Sequence, residues 1–375
     1  MNLRDGATHG ARLRFEASLR DVGNETHCGM GCSACVDFGL CGGLRLEGGF
    51  LDCGELCCGS PKTCKGRMCR FNMTDFARRH AEIGGFDLER IGPAPYCATD
   101  PFPAVVPMIY HGNSRRGRFE APVVGVRLRD LYRKKTGEPR FASRAEFAAC
   151  FRVAEAARII VTGIDDDAHV ERWWSLSEKR AAIIRNLKDG LGVDLVTVPN
   201  FSLPVNWPRW GDLYAMKRIG LCWHELAEGG LAAALHPNAR TERDFERWQL
   251  FIARRPEVAH LAFEFTTGAG GPGQREKYAG KLIGLAQAAG RPMQLLVTGG
   301  LPVWPILSAG FHIMTVLETS IFMKTQHRQR AVPRGNRGHR FERIVTVPGE
   351  ALDDLLAANA QVISASVLQQ AARPM

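Results

Sequence analysis

Nine of the 12 cysteines crowd one stretch, at Cys28, Cys32, Cys35, Cys41, Cys53, Cys57, Cys58, Cys64 and Cys69. Thiols at this density either pair as disulfides or ligate metal. The odd number, the absence of an export signal and the reducing cytosol this implies favour metal. Two clusters can be written, Cys28-x3-Cys32-x2-Cys35-x5-Cys41 and Cys53-x3-Cys57-Cys58-x5-Cys64-x4-Cys69, and each supplies enough sulfur for a four-ligand centre. Only Cys32 and Cys35 have the two-residue separation usual for zinc, whereas an iron–sulfur cluster accepts looser spacing. Gly29, Gly31, Gly42, Gly43, Gly54 and Gly59 leave backbone N–H groups free to approach sulfide. An iron–sulfur cluster is the first choice, and a zinc-stapled structural knob is the alternative.

A second set of reactive side chains lies far downstream, each member at the end of a short apolar run. Asp165 and Asp166 follow RIIVTGI, Asn200 follows DLVTVP, His236 and Asn238 close LAAALHPN, and Glu264 sits between aromatics in HLAFEF. An apolar strand gains nothing from ending in carboxylates, and a carboxyl group flanked by Phe263 and Phe265 is costly to bury unless something uses it. Together these groups suit either general acid–base chemistry or the holding of a divalent metal. Thr298, Gly299 and Gly300 form a turn whose backbone N–H groups suit a phosphate. His224 and Glu225 fall on a helix with Leu213, Met216, Ile219 and Trp223 and read as a solvated face.

The elements that must position these groups are visible in the apolar pattern. Eight short β-branched runs occur at 104–110, 123–128, 158–163, 194–199, 231–236, 260–265, 294–298 and 312–317. Helical stretches lie between them at 171–189, 212–228, 242–255 and 275–289, and an amphipathic helix follows at 348–371. This alternation predicts an α/β fold, a (β/α)8 TIM-like barrel, with a doubly wound open sheet as alternative. In a barrel the C-terminal strand ends and the loops after them carry the site, so the polar strand ends predict its location. The domain plan is a Cys-rich metal-binding module at 1–75, a linker at 76–100, the barrel at 101–345 and the C-terminal helix at 346–375.

Charge points to the partner. Lys and Arg number 49 against 39 Asp and Glu, a net charge of +10 over 375 residues, which suits a phosphate-bearing partner such as nucleic acid or a nucleotide. The tract 324–343, KTQHRQRAVPRGNRGHRFER, carries Arg328, Arg330, Arg334, Arg337 and Arg340 and reads as a mobile basic loop able to hold a nucleic-acid backbone. Arg115, Arg116, Arg118, Arg127, Arg129 and Arg133, with Lys134 and Lys135, form a second basic set that a closed barrel would bring beside the first, as one phosphate-tracking rim. Gly268–Gly273 reads as a lid hinge. No apolar run is long enough to span a membrane and the first residues lack a signal-peptide core, so a cytosolic location is expected.

Three resemblances attach to particular residues. The stretch Cys28-Gly-Met-Gly-Cys32-Ser-Ala-Cys35 resembles the three-cysteine signature of radical S-adenosylmethionine enzymes, with Ala34 where that signature carries an aromatic; it implies S-adenosylmethionine as cofactor. The segments PNFSLPVNWPR, ALHPNARTERDFERW and AFEFTTGAG resemble an uncharacterised phage and mobile-element family, a domain of unknown function. The strand order, the glycine pair and the polar eighth-strand end are similar to tRNA-guanine transglycosylase-like barrels, including relatives that insert deazapurines into DNA. That resemblance implies base exchange through an aspartate nucleophile. The Ser-Gly-Gly substrate motif of those proteins is missing here, and their zinc cysteines follow the barrel rather than precede it. A non-catalytic nucleic-acid-binding protein is the alternative to an enzyme.

Overall fold

A run of Val, Ile, Leu and Ala that is apolar at every position has to be buried on both faces, and that is the environment of a parallel strand covered by helices. The computed structural model describes residues 44–46, 49–51, 79, 81–111, 115–203, 209–271, 273–335, 338–347 and 349–371. All nine clustered cysteines, Asn113 and Arg337 lie outside them. The chain divides into two compact units, one of residues 1–92, 201–221 and 237–251, the other of residues 93–200, 222–236 and 252–375.

The second unit holds an eight-stranded parallel sheet: β1 Val105–Pro107, β2 Val123–Arg127, β3 Arg158–Thr162, β4 Leu195–Thr197, β5 Ala232–Leu235, β6 His260–Glu264, β7 Gln294–Thr298 and β8 Ile313–Glu318. The order runs from β1 through β8, β7, β6, β5, β4 and β3 to β2, and a parallel bridge between Met108 and Gly125 all but closes it into a barrel. The register can be followed from Arg127 to Thr162, Thr197, Ala234, His260, Gln294 and Ile313, which is level with Phe102 on the first strand's line. The Met108–Gly125 bridge then returns the path to Phe119, eight residues before its start, the stagger of a (β/α)8 barrel. Each expected strand is present within a few residues.

Alternate residues fill the lumen: Val106 and Met108, Val123, Ile160, Leu195, Ala232 and Ala234, Ala262, Leu296 and Leu317 form one buried cluster. Gly125 is required there, because a Cβ would stand 2.4 Å from the Met108 sulfur. The N-terminal mouth is stopped by the segment before β1. Arg158 reaches the Thr99 hydroxyl at 2.6 Å and stacks over Phe102 at 4.0 Å, and Gln294 donates to the Thr99 carbonyl. Among the described residues the opposite mouth is the one not covered by this segment.

Helices in chain order are α1 Arg144–Phe151, α2 Asp167–Ser175, α3 Lys179–Arg185, α4 Arg209–Glu228, α5 Glu242–Ala253, α6 Gln274–Ala289, α7 Trp304–Leu307, α8 Ser320–Gln326 and α9 Asp353–Ala371. Among the described residues none is long and apolar enough to cross a membrane. The single helix expected over 171–189 is instead α2 and α3, broken at Ser177, whose φ is +49°, and followed by a wide π turn at Asn186–Gly190. The described residues between β1 and β2, 111 and 115–122, form no helix, and β1 lies against α9.

The basic tract at 324–343 is not a mobile loop. It completes α8 and then forms an antiparallel hairpin, β9 Gln329–Pro333 with β10 His339–Arg343. In the pairing, Arg330 lies opposite Glu342 and Arg340 opposite Val332, on one face, and Ala331 lies opposite Phe341 on the other. Buried Asn359 of α9 holds the hairpin: its carbonyl accepts from Ala331 N at 2.7 Å and its amide donates to Gln329 O at 2.9 Å. Two members of the second basic set are engaged within the protein. Arg115 is buried against the Phe151 and Arg152 carbonyls, and Arg116 caps the Gly349 carbonyl.

The first unit contains a short antiparallel pair, Leu44–Leu46 with Gly49–Leu51. Residues 81–92, part of the stretch read as linker, bury Ile83, Phe86, Leu88 and Ile91. They are tied to helical residues by Tyr214 donating to Glu82 and by Lys217 donating to the Asp87 carbonyl. The ARTERD sequence makes an N-cap. Thr241 Oγ1 accepts from Asp244 N, while the Asp244 carboxylate accepts from Thr241 N at 3.0 Å.

Candidate functional site at the C-terminal mouth of the barrel

Strand β3 ends in Thr162-Gly163-Ile164-Asp165, and pairing to β4 continues past its last rung through side chains. Gly163 N donates to the Thr197 carbonyl at 3.0 Å and to its hydroxyl at 3.1 Å, and Ile164 N donates to Thr162 Oγ1. Asp165 N then donates to the Asn200 side-chain oxygen at 3.0 Å. Two of the expected residues, Asp165 and Asn200, are thus brought together, one fixing the backbone of the other.

The Asp165 carboxylate is oriented on one oxygen only. Its Oδ1 accepts from Arg129 Nη1 at 2.8 Å and from Asp166 N at 2.9 Å. Oδ2 has no partner among the described residues, although the side chain is only 12% exposed. Asp166 is 84% exposed and joins the group weakly, 3.7 Å from Arg129. His169, one turn into α2, completes the cluster with Nδ1 3.0 Å from Arg129 Nη1. The Asp165, Asp166 and His169 ligand atoms lie close enough to grip a metal ion. The Arg129 guanidinium already occupies that position, so a divalent cation would have to displace it.

Beside this cluster, Arg127 ends β2 with its Nε donating to Asp130 at 2.8 Å and its guanidinium 4.5 Å above the Tyr110 ring. His111 lies between Asp130 at 3.8 Å and Arg140 at 2.9 Å, and burial together with Arg140 holds its pKa below the ordinary value. Tyr110 packs on the lumen cluster and on Phe322 of α8, and burial raises its phenol pKa. Tyr110, Asp130, His169 and Arg140 were not singled out from the sequence. The Arg-Leu-Arg-Asp run that ends β2 was the available signal, and it reads there only as basic surface.

The remaining expected residues lie apart from this cluster or are bound locally. Glu264 ends β6, but both its oxygens are taken by the turn that follows: Thr266 N donates at 2.6 Å, Thr267 Oγ1 at 2.7 Å, and the Thr266 hydroxyl donates as well. His236 is buried, its ring stacked at 5.4 Å on Phe263, which also meets Tyr278 of α6. No other described residue hydrogen-bonds either of its nitrogens. Asn238 donates to the Phe201 carbonyl at 2.9 Å and braces its own loop. Glu225, a third of its side chain still exposed, forms a bidentate pair with Arg180 at 2.7 Å. Gly299 and Gly300 have φ of +73° and +79°, and a Cβ on Gly300 would stand 2.6 Å from the Phe265 ring, so backbone conformation and packing both favour glycine here.

Burial pushes the pKa of His236 down to about 4, partly offset by Glu264, and that of His260 in β6 to about 4 as well. Both rings are therefore neutral near pH 7, and His236 cannot donate a proton as imidazolium there. A depressed pKa means that the unfolded chain binds protons that the folded one refuses. Stability from each histidine is full above pH 6.5 and is lost as pH falls to about 4. Denaturant titrations across that window should show stability falling by about 1.4 kcal/mol per pH unit for each such proton. Replacing His260 by Gln should flatten the slope, and an unchanged slope would contradict the assignment.

No protein-family model and no curated protein matches the chain.

Proposed function

We propose that the protein is an enzyme that acts on a nucleic acid or nucleotide at the C-terminal mouth of its barrel, modifying or exchanging a base. The carrying observation is the Asp165 carboxylate, anchored through Oδ1 by Arg129 and Asp166 N, with Oδ2 left free. A base or nucleophile needs one oxygen held and the other available, beside a cation that stabilises charge as the reaction proceeds. Asp165 takes the role of nucleophile or base, Arg129 and Asn200 orient it, and His169 is within reach to exchange a proton. Support for a phosphate-bearing substrate comes from the charge of +10 and from Arg330, Arg334 and Arg340, exposed on the hairpin. Treating RNA, duplex DNA, single-stranded DNA and free nucleotides with the purified protein and weighing the nucleosides tests the reading. A mass-shifted nucleoside or a released base supports it, and unchanged composition across all four contradicts it.

The exposed arginines of the hairpin also favour a second reading, a nucleic-acid-binding protein without catalysis. It predicts binding that Arg330, Arg334 and Arg340 control and that leaves every nucleoside unaltered.

The nine clustered thiols are assigned an iron–sulfur cluster or zinc, with Cys28, Cys32 and Cys35 the ligands for which S-adenosylmethionine binding would count. Anaerobic purification should yield either iron with acid-labile sulfide and broad absorption near ~400 nm, or stoichiometric zinc. Protein that holds neither, and takes up neither on reconstitution, contradicts the assignment.

A further inference from the structure

We propose that Arg127 and Tyr110 form the seat for a phosphate group of the substrate, inside the barrel mouth and beside Asp165. This deepens the reading of the mouth as the reactive site and rests on it for the nucleotide class.

Val123 and Gly125 face inward, so alternation carries Arg127, the last residue of β2, to the inner rim of the mouth. Its side chain is three-quarters covered, at 26% exposure, yet only Nε has a hydrogen-bond partner. The four N–H donors of Nη1 and Nη2 are unpaired among the described residues. The stem is covered while the Nη edge stays open, so these donors are available to an anion entering the mouth.

Two contacts hold the guanidinium in place: Asp130 at the Nε edge, and the Tyr110 ring, whose centroid is 4.5 Å from its carbon. Tyr110 is itself wedged between the lumen cluster and Phe322, 5.1 Å away. The Nη edge is therefore a preorganised fork, the geometry that meets two oxygens of one phosphate in parallel. Arg129 cannot fill the same role, because its Nη1 is engaged by Asp165 and His169. The adjoining β3 contributes Thr162, level with Arg127 in the register, as a neutral wall. One arginine thus orients the reactive carboxylate while its neighbour two residues earlier anchors the ligand.

Calorimetry on the full chain tests the seat, with inorganic phosphate, a purine nucleoside monophosphate, the parent nucleoside and a single-stranded oligonucleotide as probes. Arg127→Met and Arg127→Lys are compared with Arg243→Met, in an exposed surface pair with Glu246 on α5, and melting curves establish that each variant is folded. The monophosphate should bind roughly tenfold tighter than the nucleoside, and both Arg127 variants should lose roughly tenfold or more, since a lysine keeps the charge but not the fork. Arg243→Met should leave the monophosphate unaffected. Loss of oligonucleotide affinity in Arg127→Met identifies a phosphodiester backbone as the occupant, and its retention identifies a free nucleotide. Equal binding of the monophosphate by wild type and Arg127→Met, full recovery by Arg127→Lys, or no phosphate binding by wild type would overturn the seat. Failure of the catalytic reading is separate: turnover unchanged in Asp165→Asn sinks that reading while Arg127-dependent phosphate binding stands.

Discussion

Replacing Asp165 by Asn should leave the protein folded and reduce turnover of its nucleic-acid or nucleotide substrate by about 10²- to 10⁴-fold, the usual contribution of a positioned base. Asn keeps the shape and can still accept from Arg129 and Asp166 N through its carbonyl oxygen, so the loop after β3 has no reason to move. What is lost is the second carboxylate oxygen and the negative charge. The loss should appear in kcat more than in KM, because the seat for the phosphate is a separate side chain. Asp166→Asn offers the contrast: that carboxylate is 84% exposed, and its loss should change turnover little. Single-turnover rates for both variants, with melting curves beside them, decide the matter. Equal losses in the two variants would mean that the acidic loop acts by charge alone.

The second large effect is structural. Gly163→Ala should destabilise the barrel by about 3 kcal/mol, at the upper end of overpacking costs. A Cβ at this position would stand 2.5 Å from the Thr197 carbonyl oxygen and 2.9 Å from Pro199 N. Both are backbone atoms, and no side chain can swing away to relieve the contact. The same glycine donates its N–H to Thr197, so separating the strands enough to admit a methyl group breaks that bond as well. Asp165 is two residues further on and would shift with it, so activity should fall with stability. The denaturant midpoint of Gly163→Ala reads the first effect. A midpoint equal to that of wild type would show that β3 and β4 are not joined as described.

Much of the fold was legible because parallel strands buried on both faces must be apolar throughout, and eight such runs stand out as VVGVR, RIIVT or HLAFE do. The polar ends of those runs also located the mouth. The partners of Asp165 were not legible, because Arg129 lies 36 residues away and only the register between β2 and β3 brings it alongside. Nor could spacing show that the Glu264 carboxylate is consumed by Thr266 and Thr267, or that the His236 ring lies on Phe263. Those are consequences of local turn geometry and of packing between strand and helix. The hairpin was not legible for a related reason: seven cations in a stretch of twenty residues conceal the apolar pair that Ala331 and Phe341 make across the two strands.

The most direct test of the site is a crystal structure of the Asp165→Asn protein with a purine nucleoside monophosphate bound. The account predicts the base within hydrogen-bond reach of the residue 165 side chain and the phosphate on the Nη edge of Arg127, inside the mouth framed by Tyr110 and Thr162. A nucleotide seated instead on the β9–β10 hairpin, with the mouth holding only water at saturating ligand, would contradict it.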